Sequence, residues 1–165
     1  MNIFYIDSNP QICAQYHHDV HVNKMIIETA QMLSAAHHVS LSKYRDVVYK
    51  PAYVNHPSTV WVRHNELTYK WAFHLFTYLS YEFKFRSGKD HSTFVNYGKY
   101  LENIPFNNTD YEFKSPPLCM PDQYKTDDHV QAYRNFYKAE KMFDKNGKPM
   151  DKWTNRTRPY WLNVA

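Results

Sequence analysis

The sequence predicts a mainly α-helical fold, an irregular bundle of about five helices in one domain spanning residues 1–165. Three observations predict it. Residues 19–38 sort apolar and polar side chains onto separate faces at 100° per residue, and residues 59–85 are apolar around most of a helical circumference. Aromatic residues make up 18% of the chain, enough for one large core whose hydroxyl and indole N–H groups need partners. A chain of 165 residues buries roughly two-thirds of its unfolded surface, which suits a single such core.

Each element follows from local chemistry. Ile3-Phe4-Tyr5-Ile6 reads as a short N-terminal strand without an evident mate. Asp7-Ser8-Asn9-Pro10 is a helix start with proline in the first turn, so a short helix is expected from Pro10 to His17. Asp19 is expected to cap a longer helix ending near His38. Its apolar face carries Val22, Met25, Ile26, Thr29, Ala30, Met32, Leu33 and Ala36, while His21, Lys24, Glu28 and Gln31 share another face. Residues 39–57 read as a connection, because Lys50-Pro51 and His56-Pro57 disfavour helix before each proline. Ser58 is expected to cap a central helix from Thr59 to Phe85, with Arg63–Glu66 and Glu66–Lys70 spaced for ion pairs. Ser87-Gly88 ends it, and a helix from Ser92 to Glu102 follows. Prolines 105, 116, 117 and 121 mark residues 103–125 as irregular. Thr126 or Asp127 is expected to cap a last helix ending near Phe143. A turn at 145–149 leads to an apolar tail that should dock on the body.

Composition sets outer limits. A balance of 20 Lys+Arg against 16 Asp+Glu is mildly basic, which permits an anionic partner without requiring one. Cys13 and Cys119 are far apart and form no CxxC, so a disulfide scaffold is not expected. The N-terminus lacks the basic and apolar regions of a signal peptide, and no stretch approaches the ~20 apolar residues of a membrane span. Cytoplasmic residence and no membrane partner are the expectations.

The strongest chemical candidate is His21, Lys24, Glu28 and Gln31. Spacings of three and four bring an acid/base group, a cation and a carboxylate side by side, as phosphate binding or proton transfer requires. A solvated helix face with a Lys–Glu pair has the same pattern. His17 and His21 have the i, i+4 spacing of helical zinc ligands, but no HExxH and no nearby cysteine accompany them, so no metal is expected. Cys13 in a helix interior is a small buried hydrophobe by default. With three glycines and no Gly-rich loop, P-loop and Rossmann chemistry are excluded. Cations alternate with aromatics at Tyr133-Arg134-Asn135-Phe136-Tyr137-Lys138 and again from Trp153 to Trp161. Such cations can meet phosphates while aromatic faces stack bases; equally, the aromatics can be core and the cations a rim.

Residues 16–33 contain His17-x-Asp19-x-His21-Val22-x-Lys24-Met25-x-x-Glu28-Thr29-x-Gln31. With Asn55-His56-Pro57-Ser58, Trp61, Arg63, Met120 to Tyr124, Ala132 to Asn135 and the closing Trp153–Trp161, this stretch resembles a small bacteriophage protein family without a settled activity. The chain departs from that pattern at His18, where a cysteine is usual, and at Val20, where a lysine is usual. The resemblance implies a phage-encoded protein acting in the cytoplasm of an infected bacterium.

The leading expectation is a nucleic-acid- or nucleotide-processing enzyme, with a DNA base among its candidate substrates. His21 and Glu28 would perform acid/base work. Lys24, Gln31, Arg63, Arg134 and Arg156 would hold phosphate or substrate, and Tyr133, Trp153 or Trp161 would stack a base. No motif identifies a cofactor. The alternatives are a non-catalytic protein that binds a host protein or nucleic acid, and a nucleotide binder that counters host defence. An enzyme or nucleotide binder needs a concavity where His21, Lys24 and Glu28 meet Arg63 or Arg134.

Overall fold

The computed structural model describes residues 1–108 and 110–163. It is mainly helical, as the periodicity predicts. Among these residues lie α1 (Pro10–Tyr16), α2 (Asp19–Val39), α3 (Pro57–Val62), α4 (Glu66–Ser87), α5 (Ser92–Leu101) and α6 (His129–Glu140), with 3-10 turns at Asp122–Tyr124 and Tyr160–Leu162. The long helices α2 and α4 pack on each other at the centre. α1 lies along α4, and α3 and α5 pack on α2. No helix among the described residues is long and apolar enough to cross a membrane.

Ile3–Ile6 is not a strand. All four side chains are buried, so this extended segment threads the core instead of lining one face of a sheet. Its backbone groups are satisfied individually. Ile3 N–H donates to Asn2 Oδ1, Ile6 N–H to the Phe4 carbonyl, and the Ile6 carbonyl accepts from Arg134 Nε at 2.9 Å. The one β feature among the described residues is an isolated bridge between Phe143 and Pro149, which closes the turn expected there.

Helix ends differ from expectation where tertiary partners compete for the capping group. His18, not Asp19, caps α2, its Nδ1 accepting from His21 N–H. The Asp19 carboxylate is taken instead by Thr154 and Arg86. The expected Thr59–Phe85 helix is two helices. His56 caps α3 with Pro57 in its first turn, and the chain breaks at His64. Asn65 and Thr68 then form a reciprocal capping box that restarts α4. Arg63 accordingly donates to the Val54 carbonyl at 2.7 Å and makes no pair with Glu66. Lys70 does reach Glu66, at 3.5 Å. Gly88 ends α4 at φ 75°, a conformation glycine adopts without steric cost. α6 starts from Asp128 in place of Thr126 or Asp127 and stops at Glu140.

The core is aromatic and stitched by polar tips. Tyr69 donates its hydroxyl to the Leu101 carbonyl, tying α4 to the end of α5. The indoles of Trp61, Trp71 and Trp153 donate to the carbonyls of Lys114, Ser8 and Tyr16. Trp153 and Trp161 are buried, so the tail docks on the body as expected.

Candidate functional site

Helical spacing does place His21, Lys24, Glu28 and Gln31 along α2, but the fold divides them. His21 is 4% exposed and lies inside. Its ring stacks on Phe4 at 4.9 Å and on His18 at 4.1 Å, with Tyr137 edge-on at 5.2 Å. With His17 and His18 it makes a buried histidine cluster between the N-terminal segment, the α1–α2 junction and α6. Burial holds all three neutral. It lowers His17 to about 3 and His18 to about 4, and it lowers His21 as well, helped by its histidine neighbours. His17 Nδ1 bonds the Cys13 carbonyl and His18 Nε2 the Lys141 carbonyl. His17 Nε2 and His21 Nδ1 have no protein partner.

Glu28 is also committed. It accepts the Asn2 N–H at 3.2 Å, pairs with Lys24 at 3.5 Å and lies 3.8 Å from the terminal ammonium. Gln31 is half-buried farther along the helix. Arg63 and Arg134 do not join this group: Arg63 is held by Val54, and Arg134 by Ile6 and Asp7. The convergence expected of a catalytic pocket on α2 is therefore not formed. Tyr133 is buried, its hydroxyl donating to the Pro117 carbonyl at 2.6 Å, while Trp153 and Trp161 keep their rings in the core. Base stacking on those three rings would require the core to open. Cys13 is buried against the Phe4 carbonyl, and burial raises its thiol to about 12, far from nucleophilic range. Among the described residues no group of three or more His, Cys, Asp or Glu is arranged to hold a metal ion.

The exposed aromatics and cations converge elsewhere, where the tail crosses α1. Gln15, Tyr16 and residues 155–160 line an open cleft of about 410 Å³. Asn155, in the left-handed region at φ 60°, turns the chain there; asparagine tolerates that conformation better than most residues. Arg156 then reaches Glu82 through two bonds, at 2.6 and 3.0 Å, with its guanidinium carbon 4.2 Å from the Phe85 ring centre. Glu82 is buried and also pairs with Arg86, which bonds Asp19 and the carbonyls of Gln15 and His17. Two arginines and two carboxylates thus clamp the tail to α1, α2 and α4. A carboxylate held by paired guanidiniums is a rigid anchor.

Arg134 lies beside two of the lining residues, Tyr16 and Tyr160. It pairs with Asp7 at 3.1 Å and lies 5.5–5.8 Å from the ring centres of Tyr16, Tyr160 and Trp161. Tyr160 itself is 63% exposed. Arg158 bonds Asn163 Oδ1, and no described carboxylate pairs with it. The cleft therefore offers an exposed tyrosine, a guanidinium neutralised by Glu82 and one cation that no described carboxylate pairs.

Of the sequence-derived candidates, the structure brings Arg134, Arg156 and Trp161 to this region, with Trp153 beneath it. Tyr16, Tyr160 and Arg158 were not singled out. The available signal was the alternation of cations with aromatics in Arg156-Thr157-Arg158-Pro159-Tyr160-Trp161, which does not say which ring faces outward. No protein-family model matches the chain, and neither a curated protein nor a solved structure is significantly similar to it.

Proposed function

We propose that this protein binds nucleotides or nucleic acid in the cleft between α1 and the tail. Arg158 would contact phosphate, and the exposed Tyr160 ring would stack a base. Arg134 and Arg156 would act as positioning residues, their charges being spent on Asp7 and Glu82. The observation that carries this reading is the meeting of Arg158, paired by no described carboxylate, with the exposed Tyr160 ring in one 410 Å³ cleft that the Glu82-held Arg156 also lines. The net charge of +4 favours the same kind of partner. The resemblance of residues 16–33 to phage proteins would set this binding in an infected bacterial cell.

Binding is favoured over processing for a physical reason. His21 is buried, stacked on Phe4 and packed against His18, and held neutral, while Glu28 is already bonded to backbone N–H. Neither is free to carry a proton to a substrate in the cleft. A host protein is the alternative partner, and it is the reading left if no ligand in the test below binds.

The test is the thermal stability of the full chain with nucleotides, single- and double-stranded DNA and RNA, repeated for Arg158→Ala, Tyr160→Ala and Lys24→Ala. A ligand bound only by the folded state adds ~2.7 kcal/mol of stability at a hundredfold excess over Kd, and so raises Tm. A shift lost in the first two variants and kept in Lys24→Ala is the expected result. A shift lost in Lys24→Ala alone would return the site to α2. No shift with any ligand would end the nucleic-acid reading and leave the protein partner.

A further inference from the structure

The cleft does not stop at Tyr160. Arg156, on its opposite wall, rests on Phe85 at the C-terminal end of α4, and Phe85 is 50% exposed. One helical turn earlier, Tyr81 is exposed on the same face of α4. Glu82 holds the Arg156 guanidinium by two bonds, which fixes its plane and cancels its charge, yet the side chain remains 32% exposed toward the cleft. A neutralised guanidinium lying on an aromatic ring serves poorly as a phosphate clamp. It serves well as a flat stacking surface, because a base can lie on a guanidinium plane as it does on an aromatic ring. Two stacking surfaces, Tyr160 and the Phe85-backed plane of Arg156, thus share one cleft with Arg158.

We infer that the ligand is a single-stranded nucleic acid of two or more nucleotides. One base stacks on Tyr160, the neighbouring base stacks on the Arg156–Phe85 platform, and the phosphate between them meets Arg158. This rests on the binding reading above and narrows it. A mononucleotide can use only one platform. A duplex can use neither, since its bases are already stacked on each other. Exposed aromatic surface continuing along α4 to Tyr81 lets a longer strand continue in the same direction.

The experiment is competition for a fluorescein-labelled decathymidylate, read by anisotropy, with thymidine monophosphate, dinucleotide, tetranucleotide and a duplex of the same length. Wild type is compared with Phe85→Ala, Phe85→Leu and Tyr160→Ala, after each variant's melting curve shows that it folds. Expected is a gain of roughly tenfold or more from mononucleotide to tetranucleotide. Phe85→Ala should bring the ratio of tetranucleotide to mononucleotide affinity down toward one, and Phe85→Leu, which keeps apolar bulk without a ring, should lie between. Equal affinity for mononucleotide and tetranucleotide overturns the inference and leaves the binding reading standing. So does an equal loss for both ligands in Phe85→Ala, which would make Phe85 only a support for Arg156. Duplex binding as tight as single strand also overturns it. If the labelled strand does not bind wild type at all, the inference fails, and the thermal-stability panel alone decides the binding reading.

Discussion

The start of α2 and the cleft beneath the tail both combine ionisable side chains with aromatic rings, and the fold uses them in opposite ways. Where α1 gives way to α2 the histidines turn inward. His17, His18 and His21 lose their water, stack with Phe4 and Tyr137 and give up their protons. Around the tail each buried or half-buried arginine is met by a carboxylate: Glu82 for Arg86 and Arg156, Asp7 for Arg134. Histidine answers burial by becoming neutral at modest cost. Arginine cannot, so it must be paired. A buried histidine cluster is therefore compatible with a plain packing role. An arginine cluster with one member lacking a carboxylate keeps charge at the surface for a partner.

The largest effect that would break this comparison is at Glu82. Glu82→Ala should destabilise the protein by ~3–5 kcal/mol, because it leaves the buried Arg86 guanidinium short of a carboxylate and frees Arg156. Urea denaturation measures this; a loss below ~1 kcal/mol would mean the clamp is not a structural anchor. Acid should act on the other region. The folded-state pKa values of His17, His18 and His21 lie below the ordinary ~6.5, so the unfolded chain binds more protons once pH falls through that value. The stability they contribute is full above ~6.5 and declines toward about 4 and about 3 for His18 and His17. Each buried neutral histidine costs ~1 kcal/mol over the first pH unit below ~6.5, rising toward ~1.4 kcal/mol per unit further down. The three together should remove ~3 kcal/mol between pH 6.5 and 5.5. A flat urea midpoint across that interval would place the cluster in water.

Smaller effects sharpen the contrast. Arg158→Ala should lower nucleic-acid affinity roughly tenfold and reduce the salt slope by ~1, while changing stability by less than ~0.5 kcal/mol. Titrations at two salt concentrations test both parts. Lys24→Ala should be nearly silent in both respects, since its pair with Glu28 is exposed on the lysine side and worth ~0.2–0.5 kcal/mol. Lost binding in Lys24→Ala with Arg158→Ala unaffected would reverse the roles of the two regions.

Local chemistry made much of the fold legible. The helical period of residues 19–38, Pro10 in a first turn and Gly88 after a last turn gave α1, α2 and the end of α4 to within about two residues. The break at His64 was also encoded, in the Asn65–Thr68 capping box, but the apolar run on both sides of it masks the signal. Of the site, the tail's alternation of cations and aromatics was visible. The α2 motif drew attention instead because His, Lys and Glu at helical spacing look alike on a solvated face and on a buried one.

The amino-acid sequence determined by itself that this chain is helical, which windows form helices, and that an aromatic core would need polar partners, because period, caps and ring chemistry act over a few residues. Only the tertiary structure decided that His21 is inside and Tyr160 outside, that Ile3–Ile6 is a buried thread, and that Glu82 joins Arg86 to Arg156. Burial and charge pairing depend on which distant segments meet, and Glu82 and Arg156 are 74 positions apart. Helical spacing fixes the face a residue shares. It does not fix what that face is packed against.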